Sequence, residues 1–203
     1  MRELIRQLRQ YHKTSKFVSP EARPWNRAQV QWAFLRRGSY VAWPLYGHVL
    51  AALREGRLEI EPGVTLLPGC WLSMPGEARL RLGHNVWVAG NVMLHAYHRI
   101  EIGEFSGIGR GSFISDAIHL FDDRGKAAIW QGMKVKGPTI IGSHVAIMNN
   151  VAVMGGITIG DRAIVATNSV VTHDVEPETI VGGIPAKVIK RVEFRSDGGV
   201  PAS

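Results

Sequence analysis

The stretch IGSHVAIMNNVAVMGGITIGDRAIVATNSVVTHDV, residues 141–175, decides the fold. An aliphatic residue recurs in it at every sixth position: Ile141, Ile147, Val153, Ile159, Val165 and Val171. Four positions after each stands a second small or β-branched residue: Val145, Val151, Ile157, Ala163, Ser169 and Val175. Sandwich strands alternate with period two and recur every 8–12 residues or so, which this pattern does not do. A period of six reads instead as one short strand and one turn per repeat. Three repeats close a triangular coil, and successive coils stack their strands in parallel about 4.8 Å apart. Both marked positions of each hexad then point into the prism. Turns such as Ile141-Gly-Ser-His and Ile159-Gly-Asp-Arg supply corners, where residues tolerant of positive φ are cheapest.

The same rule holds upstream. It runs through Leu82, Val88 and Leu94, then, after two extra residues, through Ile102, Ile108 and Ile114. The second positions there are Val86, Val92, His98, Ser106, Ser112 and Ile118. A weaker start lies at Ile60 and Leu66, with Val64 and Cys70 as their second positions. Residues 117–140 break the frame between two regular blocks, and a long excursion from a solenoid is usually functional. The expected organisation is therefore a helical or irregular cap over 1–58, a β-helix over 59–192 with an extruded loop at 117–140, and a flexible tail over 193–203. Leu4, Ile5 and Leu8 stand at helical spacing in residues 1–10, and 25–37 and 44–54 also read as short helices, the last ending near Gly56. Such helices would cover the open edge of the first coil.

Composition narrows the function. Of the net charge of +7, all lies in residues 1–60, with 11 Lys and Arg against 4 Asp and Glu; residues 61–203 hold 13 against 13. A nucleic-acid stripe along the whole molecule is thereby excluded, and an acidic partner or an anionic membrane surface is confined to the N-terminal segment. Trp25, Trp32 and Trp43 are interleaved there with Arg23, Arg27, Arg36 and Arg37, which suits a headgroup boundary as well as packing on the first coil. Peripheral membrane contact through residues 1–55 is one expectation; a plain cap is the other. The single cysteine, Cys70, allows no intrachain disulfide, in keeping with a reducing cytoplasm. No secretory leader is visible, and the apolar run Trp43–Leu53 is about half of what a spanning helix needs.

From Ile141 to Arg191 the chain resembles the hexapeptide-repeat acyltransferases, in particular their sugar O-acetyltransferase branch. Its most specific part is the closing stretch from Asn168-Ser-Val-Val-Thr to Gly182-Gly-Ile-Pro-Ala-Lys-Val-Ile-Lys190. The resemblance covers about residues 60–191. It implies an all-β, left-handed parallel β-helix, against the usual right-handed crossover. It also implies a homotrimer with sites between subunits, and acetyl-CoA as co-substrate with no metal.

Transfer of an acetyl group from a thioester to a hydroxyl requires a base for the hydroxyl proton, donors for the tetrahedral oxyanion, and a seat for CoA. Histidine suits the first role at neutral pH. His119 closes the segment Ile114-Ser-Asp-Ala-Ile-His where the excursion begins. The resemblance places the catalytic histidine at that junction in an Ile-x-Asp-x-x-His context. Asp116 would orient its ring or stabilise the imidazolium; alternatively it is a coil-corner aspartate bonding its own backbone. Asn91 is matched loosely to an asparagine near the acceptor. For CoA the resemblance points to Asn149, Thr167 and Thr172 along the pantetheine and adenosine path, and to Lys187 and Lys190 at the phosphates, with Arg191 beside them. Where relatives often read Asn-Val-Trp-Ile-Gly, this chain has His144-Val-Ala-Ile-Met148, which alters the wall beside CoA or acceptor. The leading expectation is an O-acetyltransferase acting on a saccharide or glycoconjugate hydroxyl. N-acylation of an amino-sugar and a non-catalytic β-helix scaffold are the alternatives. A zinc-hydrating enzyme of the same fold lacks its usual pair of histidines five apart.

Overall fold

The computed structural model describes residues 23–194. Three parallel sheets form the walls of a triangular prism. Sheet A runs β1 (Tyr40–Val41), β4 (Thr65–Leu66), β7 (Trp87–Val88), β10 (Gly107–Ile108), β15 (Ala146–Ile147), β18 (Ile164–Val165) and β20 (Thr179–Gly183). Sheet B runs β2 (Leu45–Gly47), β5 (Cys70–Ser73), β8 (Met93–His95), β11 (Phe113–Ser115), β16 (Ala152–Met154) and β19 (Val170–Val171). Sheet C runs β3 (Leu58–Ile60), β6 (Arg79–Leu82), β9 (Arg99–Ile102), β14 (Thr139–Ile141) and β17 (Thr158–Ile159), continued by a bridge from Ile159 to Val175. The chain visits A, B and C in turn, six times, as a left-handed parallel β-helix. A final strand, β21 (Ala186–Arg191), folds back antiparallel on β20 and closes the C-terminal end of sheet A.

The frame seen in the sequence is the frame of the core. Ile141, Ile147, Val153, Ile159, Val165 and Val171 are all buried, as are their second positions from Val145 to Val175. Serines that occupy second positions are buried because they are fully used. Ser106 Oγ donates to the Gly142 carbonyl at 2.8 Å and accepts the Val145 amide at 2.9 Å. Ser112 does the same with Met148 and Val151, so two hydroxyls stitch the fourth coil to the fifth across the excursion. A buried hydroxyl with both functions met carries no desolvation penalty comparable to that of an unpaired one.

Corners between A and B carry asparagine in the left-handed region, namely Asn91, Asn150 and Asn168. Each lies above or below glycine or asparagine of the adjacent coil. A Cβ on Gly69 would stand 2.0 Å from the Asn91 amide oxygen, so only glycine fits under that corner.

Four expectations shift. The helix-forming segment 44–54 is divided: Leu45–Gly47 is a strand, and only α2 (Val49–Arg54) is helical. The first coil therefore begins at Tyr40, inside the stretch assigned to the cap, and what remains of the cap among the described residues is α1 (Pro24–Leu35) and α2. His98 does not point inward. The chain shifts frame so that Ala96 and Ile100 are buried and His98 is exposed. Ile118 likewise leaves the prism with the excursion and is only half-buried. The helix read over residues 1–10, and the tail beyond 194, lie outside the described residues.

Candidate active site

The spacing of inward residues locates where the solenoid has been modified. From A to B the step is always six: Val41 to Gly47, Leu66 to Leu72, Val88 to Leu94, Ile108 to Ile114, Ile147 to Val153, Val165 to Val171. From C to A it is also six, as from Leu82 to Val88 and from Ile141 to Ile147. From B to C it is not. Gly47 to Ile60 spans α2, Leu72 to Leu82 is ten, Leu94 to Ile102 is eight, and Ile114 to Ile141 spans the whole excursion. All the added chain in the first four coils thus emerges along a single edge of the prism, the B/C edge.

The excursion is a hairpin, not an unstructured loop. β12 (Ala117–His119) pairs antiparallel with β13 (Met133–Val135), placing His119 opposite Met133. A short 3₁₀ turn at Ala128–Trp130 lies between them. His119 is exposed, and Phe121, Ile129 and Trp130 beyond it are exposed apolar side chains. Ile118, on the other face of β12, approaches Gly155 of the fifth coil.

Asp116 is fully buried at the root of this hairpin. Its Oδ1 accepts the Tyr97 amide at 2.8 Å, and its Oδ2 accepts the amides of His98 at 2.8 Å and Arg99 at 2.6 Å. Those three residues are the inserted corner of the coil below. The carboxylate therefore holds one modified corner against the next and sets where β12 leaves the prism, and with it His119. The backbone that Asp116 bonds is thus that of the neighbouring coil and not its own, a use that neither sequence reading named.

His95 lies in the same column. Its ring sits between Trp71 and Phe113, edge-on to both, with centroids 6.0 and 5.4 Å away. Nε2 is buried and has no hydrogen-bond partner among the described residues, a state that costs about 1–3 kcal/mol for a polar group. Burial holds its imidazole pKa below the ordinary value. Sequence reasoning gave His95 no role, and nothing in its hexad position marks it. A cleft of about 240 Å³ opens beside it, lined by His48, Trp71, Ser73, Met74, His95 and Tyr97.

The remaining sequence candidates fall in two other places. Asn91, Asn149 and Thr167 stand at the A/B edge, in the third, fifth and sixth coils. Asn91 is a corner residue with φ of 60°, its amide packed on Gly69. The Asn149 Oδ1 accepts the Arg110 amide at 2.9 Å. Thr167 is exposed. Thr172 returns to the B/C edge, its hydroxyl 2.9 Å from His173 Nδ1. Lys187 and Lys190 are exposed on β21, with Lys190 4.0 Å from Glu193. Ala146 and Met148 lie on the outer side of sheet A, Met148 exposed. One chain therefore brings His119, Asp116 and Thr172 to one edge, and Asn91, Asn149 and Thr167 to another. Among the described residues no three His, Cys, Asp or Glu side chains are grouped as a metal site would need.

Comparison with known proteins agrees with this architecture. Residues 138–173 match the family model "Bacterial transferase hexapeptide (six repeats)". A chloramphenicol acetyltransferase of Agrobacterium fabrum (strain C58) is 35% identical over 112 residues, 46% of this chain and 52% of that protein. A probable macrolide acetyltransferase of Lysinibacillus sphaericus is 54% identical over 56 residues, 28% of this chain and 31% of that one. The chain thus spans about half or less of the length of these curated relatives. Among solved structures, the hexapeptide-repeat-containing acetyltransferase VCA0836 of Vibrio cholerae, complexed with acetyl coenzyme A, superposes with a TM-score of 0.61. It is 28% identical and covers 72% of this chain and 78% of its own. The galactoside acetyltransferase in complex with coenzyme A superposes at 0.59 and 23% identity, covering 67% and 64%, and speaks for the fold alone.

Proposed function

We propose that this chain, a hexapeptide-repeat protein with the left-handed β-helix of the bacterial transferases, is a CoA-dependent O-acetyltransferase acting on a hydroxyl of a saccharide or glycoconjugate. The observation that carries the reading is the B/C edge. The solenoid is regular everywhere else, and the one histidine at the root of its largest insertion, His119, is held out on a paired strand. A surface histidine with no role would not need a buried carboxylate fixing the hairpin that bears it.

In the proposed reaction His119 takes the proton of the acceptor hydroxyl as the oxygen attacks the thioester carbonyl. The tetrahedral oxyanion is met by backbone amides. Collapse expels the CoA sulfur, which receives the proton back from the imidazolium; an O-acyl ester and free CoA result. Asp116 acts in this scheme as a positioning residue, through the corner of Tyr97–Arg99. Lys187, Lys190 and Arg191 would meet the CoA phosphates as point charges, and Asn149, Thr167 and Thr172 would line the arm. Asn91 would then contribute to the acceptor side only through the corner it shapes.

His119 and the A/B-edge residues lie on different edges of one prism, so a site using both needs two copies side by side. That supports a homotrimer with sites between subunits, closed by a threefold axis. The outer faces favour the same arrangement. Sheet B presents Tyr46, Trp71, Met93 and Phe113, whereas sheet C presents Glu59, Arg81, Arg99 and Glu101, the surface suited to water. A cytoplasmic location fits an acetyl-CoA-dependent enzyme, and among the described residues no helix is long and apolar enough to cross a membrane.

The deciding experiment is acetyl-CoA turnover against a panel of sugars, amino-sugars and glycolipids, for the parent and His119→Ala. The variant should fold and bind CoA but turn over about 10²–10⁴-fold more slowly. Turnover within about threefold of the parent would remove His119 from the chemistry. Product on an amine in place of a hydroxyl would favour N-acylation.

A further inference from the structure

Residues 23–54 contain Arg23, Arg27, Arg36, Arg37 and Arg54 and not one Asp or Glu. None of these arginines is in an ion pair among the described residues. Arg54 is held by the Gln29 side chain, Arg37 donates to the Ala33 carbonyl at 2.7 Å, and Arg27 lies 4.6 Å from the centre of the Trp43 ring. Trp43 is packed inward, its Nε1 donating to Gln31 at 3.1 Å. The other two tryptophans are not. Trp25 is 75% exposed and Trp32 65%, with Leu35 at 54% on the same helix. Of the three interleaved tryptophans, one therefore serves the cap and two face outward.

Three of these arginines and Trp32 line a groove between α1 and α2, of about 290 Å³. Ala33, Leu50 and Leu53 contribute its apolar surface, Trp32 an aromatic one, and Arg36, Arg37 and Arg54 stand with them. Uncompensated guanidiniums around an apolar hollow match an anionic ester of phosphoric acid whose remainder is greasy. Arginine's planar fork takes phosphate oxygens in pairs, and tryptophan settles at the boundary between headgroup and acyl chain. An indole left in water forgoes the gain of burial, and both Trp25 and Trp32 are left so among the described residues.

We propose that the α1–α2 groove is a docking site for an anionic phospholipid bilayer, with Arg36, Arg37 and Arg54 on the headgroup phosphates and Trp32 and Trp25 at the interface. The inference is independent of the acyl-transfer reading. It places the N-terminal end of the solenoid on the membrane, and it would bring a lipid-borne acceptor within reach of an otherwise soluble catalyst.

The test uses the full chain and vesicles of phosphatidylcholine with and without about one-third phosphatidylglycerol, at low and high salt. The parent should sediment with the anionic vesicles at low salt and be released by salt, and should ignore pure phosphatidylcholine. The triple variant Arg36→Gln, Arg37→Gln and Arg54→Gln removes three charges, each worth about fivefold near such a surface, and should weaken binding by about a hundredfold. Trp32→Ala should weaken it at low salt, and by the same factor at each salt concentration where the parent still binds, because the indole contribution is not screened. All variants should keep the parent's melting temperature and its turnover on any soluble acceptor. Absence of parent binding at low salt overturns the proposal. So does equal binding to neutral vesicles, or a triple variant within about twofold of the parent, which would assign the effect to other basic residues. Release by inorganic phosphate at constant ionic strength would identify a free phosphate site and likewise overturn the bilayer.

Discussion

Asp116→Asn and Asp116→Ala separate positioning from chemistry. The carboxylate accepts one amide on Oδ1 and two on Oδ2, at 2.6–2.8 Å, from a fully buried position. Alanine leaves three donors without an acceptor. Hydrogen bonds to a charged group contribute about 1.5–3 kcal/mol each, but Tyr97, His98 and Arg99 are surface residues whose amides water can partly satisfy. The expected loss is about 3–5 kcal/mol, or a melting point lowered by about 10–15 °C in a chain of this size. Asparagine can keep its oxygen on the His98 and Arg99 amides, which turns its NH₂ towards the Tyr97 N–H. One bond is lost and one donor–donor conflict gained, for about 2 kcal/mol. Because Asp116 immediately precedes β12 and anchors its start to the corner below, turnover should fall in both variants in proportion to the disorder of the hairpin, asparagine less than alanine. Thermal unfolding and turnover are to be measured on the same samples. An Asp116→Asn variant that melts within about 2 °C of the parent yet loses turnover by the 10² or so typical of acid–base chemistry would refute the argument, and would return the carboxylate to the imidazole.

Three further outcomes are expected. Lys187→Ala and Lys190→Ala should each raise the CoA dissociation constant about fivefold, less so at high salt, as titration calorimetry would register; unchanged affinity in both would move the phosphates elsewhere. Sedimentation equilibrium should give a trimer, and a stable monomer that still turns over would defeat the two-copy site. His95→Phe should fill the space between Trp71 and Phe113 while removing the unpartnered Nε2. In the parent, burial depresses the folded pKa of His95, so the unfolded chain binds the proton first as pH falls below about 6.5 and stability declines there. The phenylalanine variant should lose that share of the decline, read from denaturant unfolding between about pH 7 and 5; an identical slope in both proteins would contradict it.

Much of the fold was legible because the prism repeats one constraint. Inward positions every six residues are fixed by closure of the triangle, so Ile141 to Val175 could be assigned one by one. Legibility fails where the constraint relaxes. The first coil has no visible frame because α2 is inserted between Gly47 and Leu58, and its strands are too short to show a period. The shift from His98 to Ala96 and Ile100 is the accommodation of two extra residues, which a fixed period of six places wrongly. His119 could be singled out because a motif and a break in the frame coincide. The use of Asp116 could not be read: the amides it accepts are 17–19 residues away in sequence, brought beneath it only by stacking of coils. The unpartnered nitrogen of His95 was invisible for the same reason, since its neighbours Trp71 and Phe113 belong to the coils on either side.

The stitch between the fourth and fifth coils has a bearing on how the chain assembles. Paired residues of neighbouring sheet A strands are elsewhere 16–25 apart in sequence, from Ile164 to Ile180 at one extreme and Tyr40 to Thr65 at the other, and 18 where Asn150 meets Asn168. At the excursion the same closure spans 39, from Arg110 to Asn149. Loop-closure entropy grows only logarithmically, so the longer ring costs about 0.7 kcal/mol more. The hydroxyls of Ser106 and Ser112 make four hydrogen bonds across that same junction, each contributing about 0.5–1.5 kcal/mol, so the stitch more than offsets the longer closure. The excursion should therefore not divide the array: the four N-terminal coils and the two C-terminal ones should stay joined under mild denaturant, held across the insertion by two side chains of the size of a serine.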